Sequence, residues 1–150
     1  MFMMIFSPLE QFTLISLIPL HFGNFYFSFT NSSLFMVLAT GIFLMLFSLV
    51  TVHGGTLVPG PWQSFIEMVY EFVTSLVREQ IGPKGTKYFP VIFTIFTFIL
   101  FSNLIGMVPY SFTTTSHFLV TFTLSFAIFI AVTIVGFQIH GLHFFSFLLP

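Results

Sequence analysis

Few side chains in this 150-residue chain are equipped for chemistry, and they fall in a few places. Asn103 is a lone amide in an uncharged apolar run, about six residues or ~9 Å of helix before Pro109. An amide facing an apolar surround is costly, so Asn103 must face protein or water. It can line a water path, or bond a neighbouring helix for about 1 kcal/mol. His117, Thr121 and Ser125 are spaced by four and would form a slowly drifting polar stripe. Histidine titrates near neutral pH and can relay protons. The competing reading is a polar anchor at His117, with hydroxyls bonded back to their own helix.

Two further groups are weaker. Glu67 and Glu71 lie four apart with Arg78 two turns on. Close carboxylates interact electrostatically, but on a polar helix face they serve equally well as solvated surface. His140 and His143 are three apart beside Gln138, with no adjacent carboxylate or cysteine to complete a metal site. They read as a helix-end pair, and no metal or cofactor is expected. Glu10 stands alone. The chain has no Asp, so a Ser-His-Asp triad is impossible, and Gly54-Gly55 lacks the continuation of a phosphate loop.

Composition says what must hold these groups. Hydrophobic residues make up 57%, mean hydropathy is +1.08, and only 5% of residues are charged. A soluble domain carries about 25% charged residues and covers its surface with them. This chain must instead meet lipid. Its net charge of −1 with three Lys/Arg excludes nucleic acid as a partner. Cysteine is absent, so redox compartment cannot be read. Residues 1–6 are apolar without Lys or Arg and lack the plan of a secretory or transit leader. The 26 phenylalanines exceed packing needs and fit a T-rich organelle coding sequence.

The expected fold is all-α and integral to a membrane: three spanning helices plus one amphipathic surface helix, in a single unit over 1–150. A span needs roughly 20 apolar residues. Residues 33–52 supply one, stopped by His53-Gly54-Gly55; 89–108 and 118–137 supply two more. In lipid the backbone must satisfy itself, so runs of this length are helices. Residues 61–81 differ. Pro61 opens them, and Trp62, Phe65, Ile66, Val69, Phe72, Val73, Leu76 and Val77 share one face. Glu67, Glu71, Thr74 and Arg78 share the opposite one, as expected of a helix lying along the bilayer or against a subunit. Residues 1–31 read as an extramembrane arm with a short interfacial helix around 8–17 and a turn at Gly23-Asn24. Residues 138–150 form the inner-side end. Arg78, Lys84 and Lys87 all precede the second span, which places that connection on the matrix or cytoplasmic side.

Four runs carry a family resemblance: F-S-F-T-N-S-S-L-F-M at 27–36, N-L-I-G-M-V-P-Y-S-F at 103–112, T-S-H-F-L around His117, and H-G-L-H-F-F-S-F-L-L-P at 140–150. Together they resemble the first half of subunit a of the F-type ATP synthase, nearest to mitochondrial forms. S-P-L-E-Q-F, which holds Glu10, matches the opening of some of those forms. The resemblance implies a multi-pass protein of the mitochondrial inner membrane, organelle-encoded, beside a rotor ring of c subunits. It also implies peripheral-stalk membrane subunits as partners, and a proton path of two half-channels. An Asn at the N-L-x-x-M-x-P place is associated there with the outer half-channel.

The family's essential arginine lies on a helix that follows the L-L-P run. The only arginine here is Arg78, on the surface helix, so the essential one has no position in these 150 residues. The expectation is that a remaining half of subunit a supplies it. A split subunit, a truncated product and a partial sequence all fit. The alternative function is a scaffold subunit that handles no protons. A small independent transporter fits poorly, because intramembrane ionisable groups are almost absent.

Overall fold

A computed structural model describes residues 7–52, 54–147 and 149. The sequence readings at residues 1–6, at His53 and at two residues of the final L-L-P run therefore lie outside the described residues. The chain divides into two compact units, Met1–Thr114 and Thr115–Pro150.

The first unit begins with a 3-10 turn, Pro8–Phe12, whose Ser7 Oγ accepts from Leu9 N at 3.3 Å. Where a helix around 8–17 was expected, only this turn forms. The chain then makes an antiparallel hairpin, β1 (Ser16–Phe22) and β2 (Phe25–Thr30). Gly23 takes φ +61° as the first of two turn residues, the place where a tight hairpin turn needs a positive φ. The register slips once between Ser16 and Ile18. Pro19 is tolerated because both strands of a two-stranded sheet are edges.

Helix α1 (Asn31–Val52) follows β2 with no linker. Thr30 Oγ1 accepts from Ser33 N at 3.4 Å, a side-chain cap on the first turn. Helix α2 (Pro61–Gln80) starts on Pro61 with an extended Gly60 before it. A 3-10 segment, Pro83–Tyr88, leads into α3 (Phe89–Gly106). The helices pack through aromatic rings: Phe43 lies 5.7 Å from Phe101 and 6.2 Å from Phe93, and Phe72 lies 5.6 Å from Phe96. Val73 and Val77 of α2, Ala39 of α1 and Phe101 of α3 are buried, with Phe112 against Phe35 at 6.0 Å. The apolar face of α2 thus packs on the other two helices through Val73 and Val77, while Trp62, Phe65, Phe72 and Leu76 stay exposed.

The second unit is α4 (Phe118–His140) and a 3-10 tail, Gly141–Phe147. Gly141 ends α4 at φ +54°, where a side chain would be strained. Phe137 packs on Phe144 at 4.8 Å. No described residue of α4 is buried, and Phe118, Phe122 and Phe126 form an exposed stack at 5.5 and 5.8 Å.

Among the described residues three helical stretches are long and apolar enough to cross a membrane: Asn31–Val52, Pro83–Gly106 and Phe118–Phe147. The all-α class with one amphipathic helix holds, with the hairpin as an addition that sequence patterning missed.

Candidate functional site

Asn103 lies one turn from the end of α3 with its side chain exposed, and its carbonyl accepts from Met107 N at 3.2 Å. The hydroxyl-rich turn beyond folds back on that end. Ser111 Oγ donates to Ile105 O at 2.6 Å, and Thr113 Oγ1 to Gly106 O at 3.4 Å. Carbonyls in the last turn of a helix have no partner within it, so these hydroxyls complete α3. Gly106 permits the close approach: a Cβ there would sit 2.6 Å from Thr113 Oγ1. Val108-Pro109-Tyr110-Ser111 is a tight turn closed by Ser111 N to Val108 O at 3.1 Å, with Tyr110 at φ +66°.

Next to Asn103 the helix carries a different kind of group. Thr94 and Thr97 bond back to Pro90 O and Phe93 O, both at 2.7 Å. Ser102 does not. It is 2% exposed, and its Oγ is buried without a hydrogen-bond partner, as is Thr114 Oγ1 in the same unit. Serine and threonine in a helix commonly bond their own backbone, so these two buried hydroxyls keep unused hydrogen-bonding capacity.

In the second unit His117 stands at the N-cap of α4 with extended backbone, φ −80° and ψ 123°, and is half-buried. The spacing-by-four stripe therefore begins just outside the helix. The His117 carbonyl accepts from Val120 N, from Thr121 N and from Thr121 Oγ1 at 3.2–3.3 Å. Ser125 Oγ donates to Phe122 O at 3.1 Å. Both stripe hydroxyls are exposed, but their protons go to their own helix, which leaves only the oxygens free to accept.

The charged face of α2 is well defined. Gln63 Nε2 donates to Glu67 Oε1 at 2.8 Å and to Thr56 O at 3.0 Å, tying the preceding loop to the helix. Glu71, Arg78 and Glu79, with Tyr70, Thr74 and Ser75, line an open groove of about 290 Å³. Glu79 and Tyr70 were not singled out from sequence. Tyr70 also stacks edge-on against Phe89 at 4.9 Å, joining the polar face to α3. Lys87 Nζ sits 4.8 Å over the Tyr88 ring.

His140 and His143 end α4 and enter the tail. Each ring packs near Phe147, at 5.1 and 6.0 Å, and His143 Nδ1 lies 3.0 Å from Ser146 Oγ. Among the described residues no three His, Cys, Asp or Glu gather as a metal site would require.

Asn31 was given no structural role from the sequence. Asn31 Nδ2 donates to Thr13 O at 2.8 Å, while its Oδ1 accepts from Ile15 N at 3.3 Å and Ser32 N at 2.9 Å. Its backbone N donates to Ile15 O at 3.1 Å. It therefore clamps the base of the hairpin to the first turn of α1. A polar residue at a strand-to-helix junction was the available signal.

The family model described as ATP synthase A chain matches residues 33–150. This chain belongs to that family. It is 63% identical over 147 residues to ATP synthase subunit a of Marchantia polymorpha, covering 96% of this chain and 58% of the relative. ATP synthase subunit a-2 of Arabidopsis thaliana is 62% identical over 149 residues, and ATP synthase subunit a of Brassica napus 60% over 149. Those matches cover 96% of this chain and 43% and 57% of the relatives, so the chain spans about half their length. The ATP synthase A chain match begins two residues into α1 and takes in all the remaining helices. The hairpin lies ahead of it, whereas alignments covering 96% of the chain extend over the hairpin.

Proposed function

We propose that these residues form the part of the Fo membrane sector that lines the outer proton half-channel beside the c ring. The observation that carries the proposal is the family match over residues 33–150, which contains Asn103 and His117. Two features support it. Asn103 presents an exposed amide on a helix without charged residues, and such a group needs water or a polar partner in the membrane. Ser102 and Thr114 add buried hydroxyls with unused bonding capacity. In this reading Asn103 orients water, and His117, Thr121 and Ser125 are further proton-path groups.

The essential arginine comes from outside these 150 residues, in the remaining half of subunit a. It separates the two half-channels as a fixed positive charge in low dielectric, holding the facing ring carboxylate ionised. The α2 helix, with Glu67, Glu71 and Arg78 on its polar face, docks the peripheral stalk or braces the inner surface. The connection with Arg78, Lys84 and Lys87 faces the matrix, and the membrane is the mitochondrial inner one. By itself the chain is not an enzyme.

A scaffold role is the second reading, favoured by one observation: the α4 hydroxyls are bonded to their own helix. Asn103→Leu separates the two. Loss of one polar site along a water path costs about 1–3 kcal/mol, roughly five- to a hundredfold in rate. The expected result is ATP-driven proton pumping reduced by that factor at normal complex abundance. Unchanged pumping would remove Asn103 from the path and leave the scaffold reading.

A further inference from the structure

The hairpin, like α4, is apolar on both sides, with little among the described residues to cover it. Leu17, Ile18, Leu20, Tyr26 and Phe27 are each at least half exposed. A sheet that packs on protein through one face alternates apolar and polar side chains. Here residues on opposite faces, such as Tyr26 and Phe27, are both large, aromatic and open. A two-stranded hairpin is marginal in water, and both its edges carry unpaired backbone groups.

Three further observations fix where it lies. No charged residue occurs from Gln11 to Ile66, so nothing in the hairpin or the helix after it requires bulk water or an oppositely charged protein face. The strand β2 ends at Thr30 and α1 begins at Asn31, leaving no linker along which the hairpin could move away from the membrane. Asn31 then fixes the geometry, binding Thr13 and Ile15 at the hairpin base to the first turn of the spanning helix. The exposed apolar surface of the hairpin is thus continuous with that of a helix long and apolar enough to cross a bilayer.

We propose that the hairpin is a second membrane-contact element: it lies in the headgroup layer beside the outer end of α1, with phospholipid as its cover. The depth is set by two opposed demands. Apolar side chains on both faces favour immersion of about 5–10 Å, as for other interfacial elements. The unpaired strand edges forbid the hydrocarbon core, where open backbone groups find no partner. Tyr26, edge-on to His21 at 5.0 Å, suits the same layer, where aromatic rings with a polar tip collect. The proposal rests on α1 spanning the bilayer and is independent of any proton path.

The test is photolabelling of the intact complex in phosphatidylcholine nanodiscs. One lipid probe carries a diazirine near the glycerol end of its acyl chain, another at the chain terminus, and adducts are mapped by peptide mass spectrometry. The expected result is adducts at residues 16–30 from the shallow probe, at a yield comparable with residues 31–36, and few from the deep probe. A Phe27→Glu variant, altered at an exposed position, should lower the shallow yield without loss of assembled complex. Shallow-probe adducts absent from 16–30 but present at 31–36 would overturn the proposal. A zero-length crosslinker joining 16–30 to another subunit in place of lipid adducts would assign the surface to a protein. Equal yields from Phe27→Glu and the unaltered chain would also count against lipid as the cover.

Discussion

Tyr110 occupies a backbone conformation that a glycine takes without strain. Its φ of +66° closes the turn after α3, and its ring is almost wholly exposed, so no packing among the described residues offsets the cost. Such a conformation costs of order 1 kcal/mol in a bulky residue. Tyr110→Gly should therefore tighten the turn, read as slower hydrogen exchange at the Ser111 amide, which donates to Val108 O. Faster exchange would mean that the ring is held by another subunit. At this scale the sequence was informative about type and silent about direction. The lone Asn103 stands out in the sequence as a candidate because an amide in an apolar run must find water or a polar partner. The clamp at Asn31 was not legible, because Thr13 and Ile15 reach it only when the hairpin between them reverses the chain at Gly23. Ser102 was also invisible: only the folded geometry distinguishes a serine that bonds its own helix from one that does not.

Among elements, α2 makes the sharpest division between packing and surface. Val73 and Val77 are buried against the rest of the first unit, while Glu71 lies along an open groove. Val73→Glu would leave an unpaired charge in an apolar contact, a loss of several kcal/mol. Native electrophoresis should show little assembled complex for that variant and normal amounts for Glu71→Gln. Equal abundance would contradict the packing of α2 on its neighbours. The helices were legible because lipid leaves a chain few alternatives: a long uncharged run must satisfy its own backbone. The hairpin was not. Its strands are apolar on both faces, so the period-two alternation that announces a half-buried strand is missing. Pro19 is no bar to a strand here, because both strands of the hairpin are edges.

At the scale of the molecule, most large apolar side chains among the described residues are exposed, and α4 buries none of its residues. Exposed surface of this kind marks contact with lipid or with other subunits. Composition anticipated that requirement, and the motifs around Asn103 and His117 gave the family, but the partners themselves leave no trace in residue spacing. The proposed role depends on two of them, a c ring and an arginine outside these 150 residues. The most direct test is to purify the native membrane complex holding this chain in mild detergent and identify every membrane polypeptide by mass. The expected result is a c subunit in the same complex, with an intramembrane arginine on a continuation of this chain or on a second polypeptide. A complex that contains this chain but neither c subunit nor such an arginine would contradict the proton-channel role.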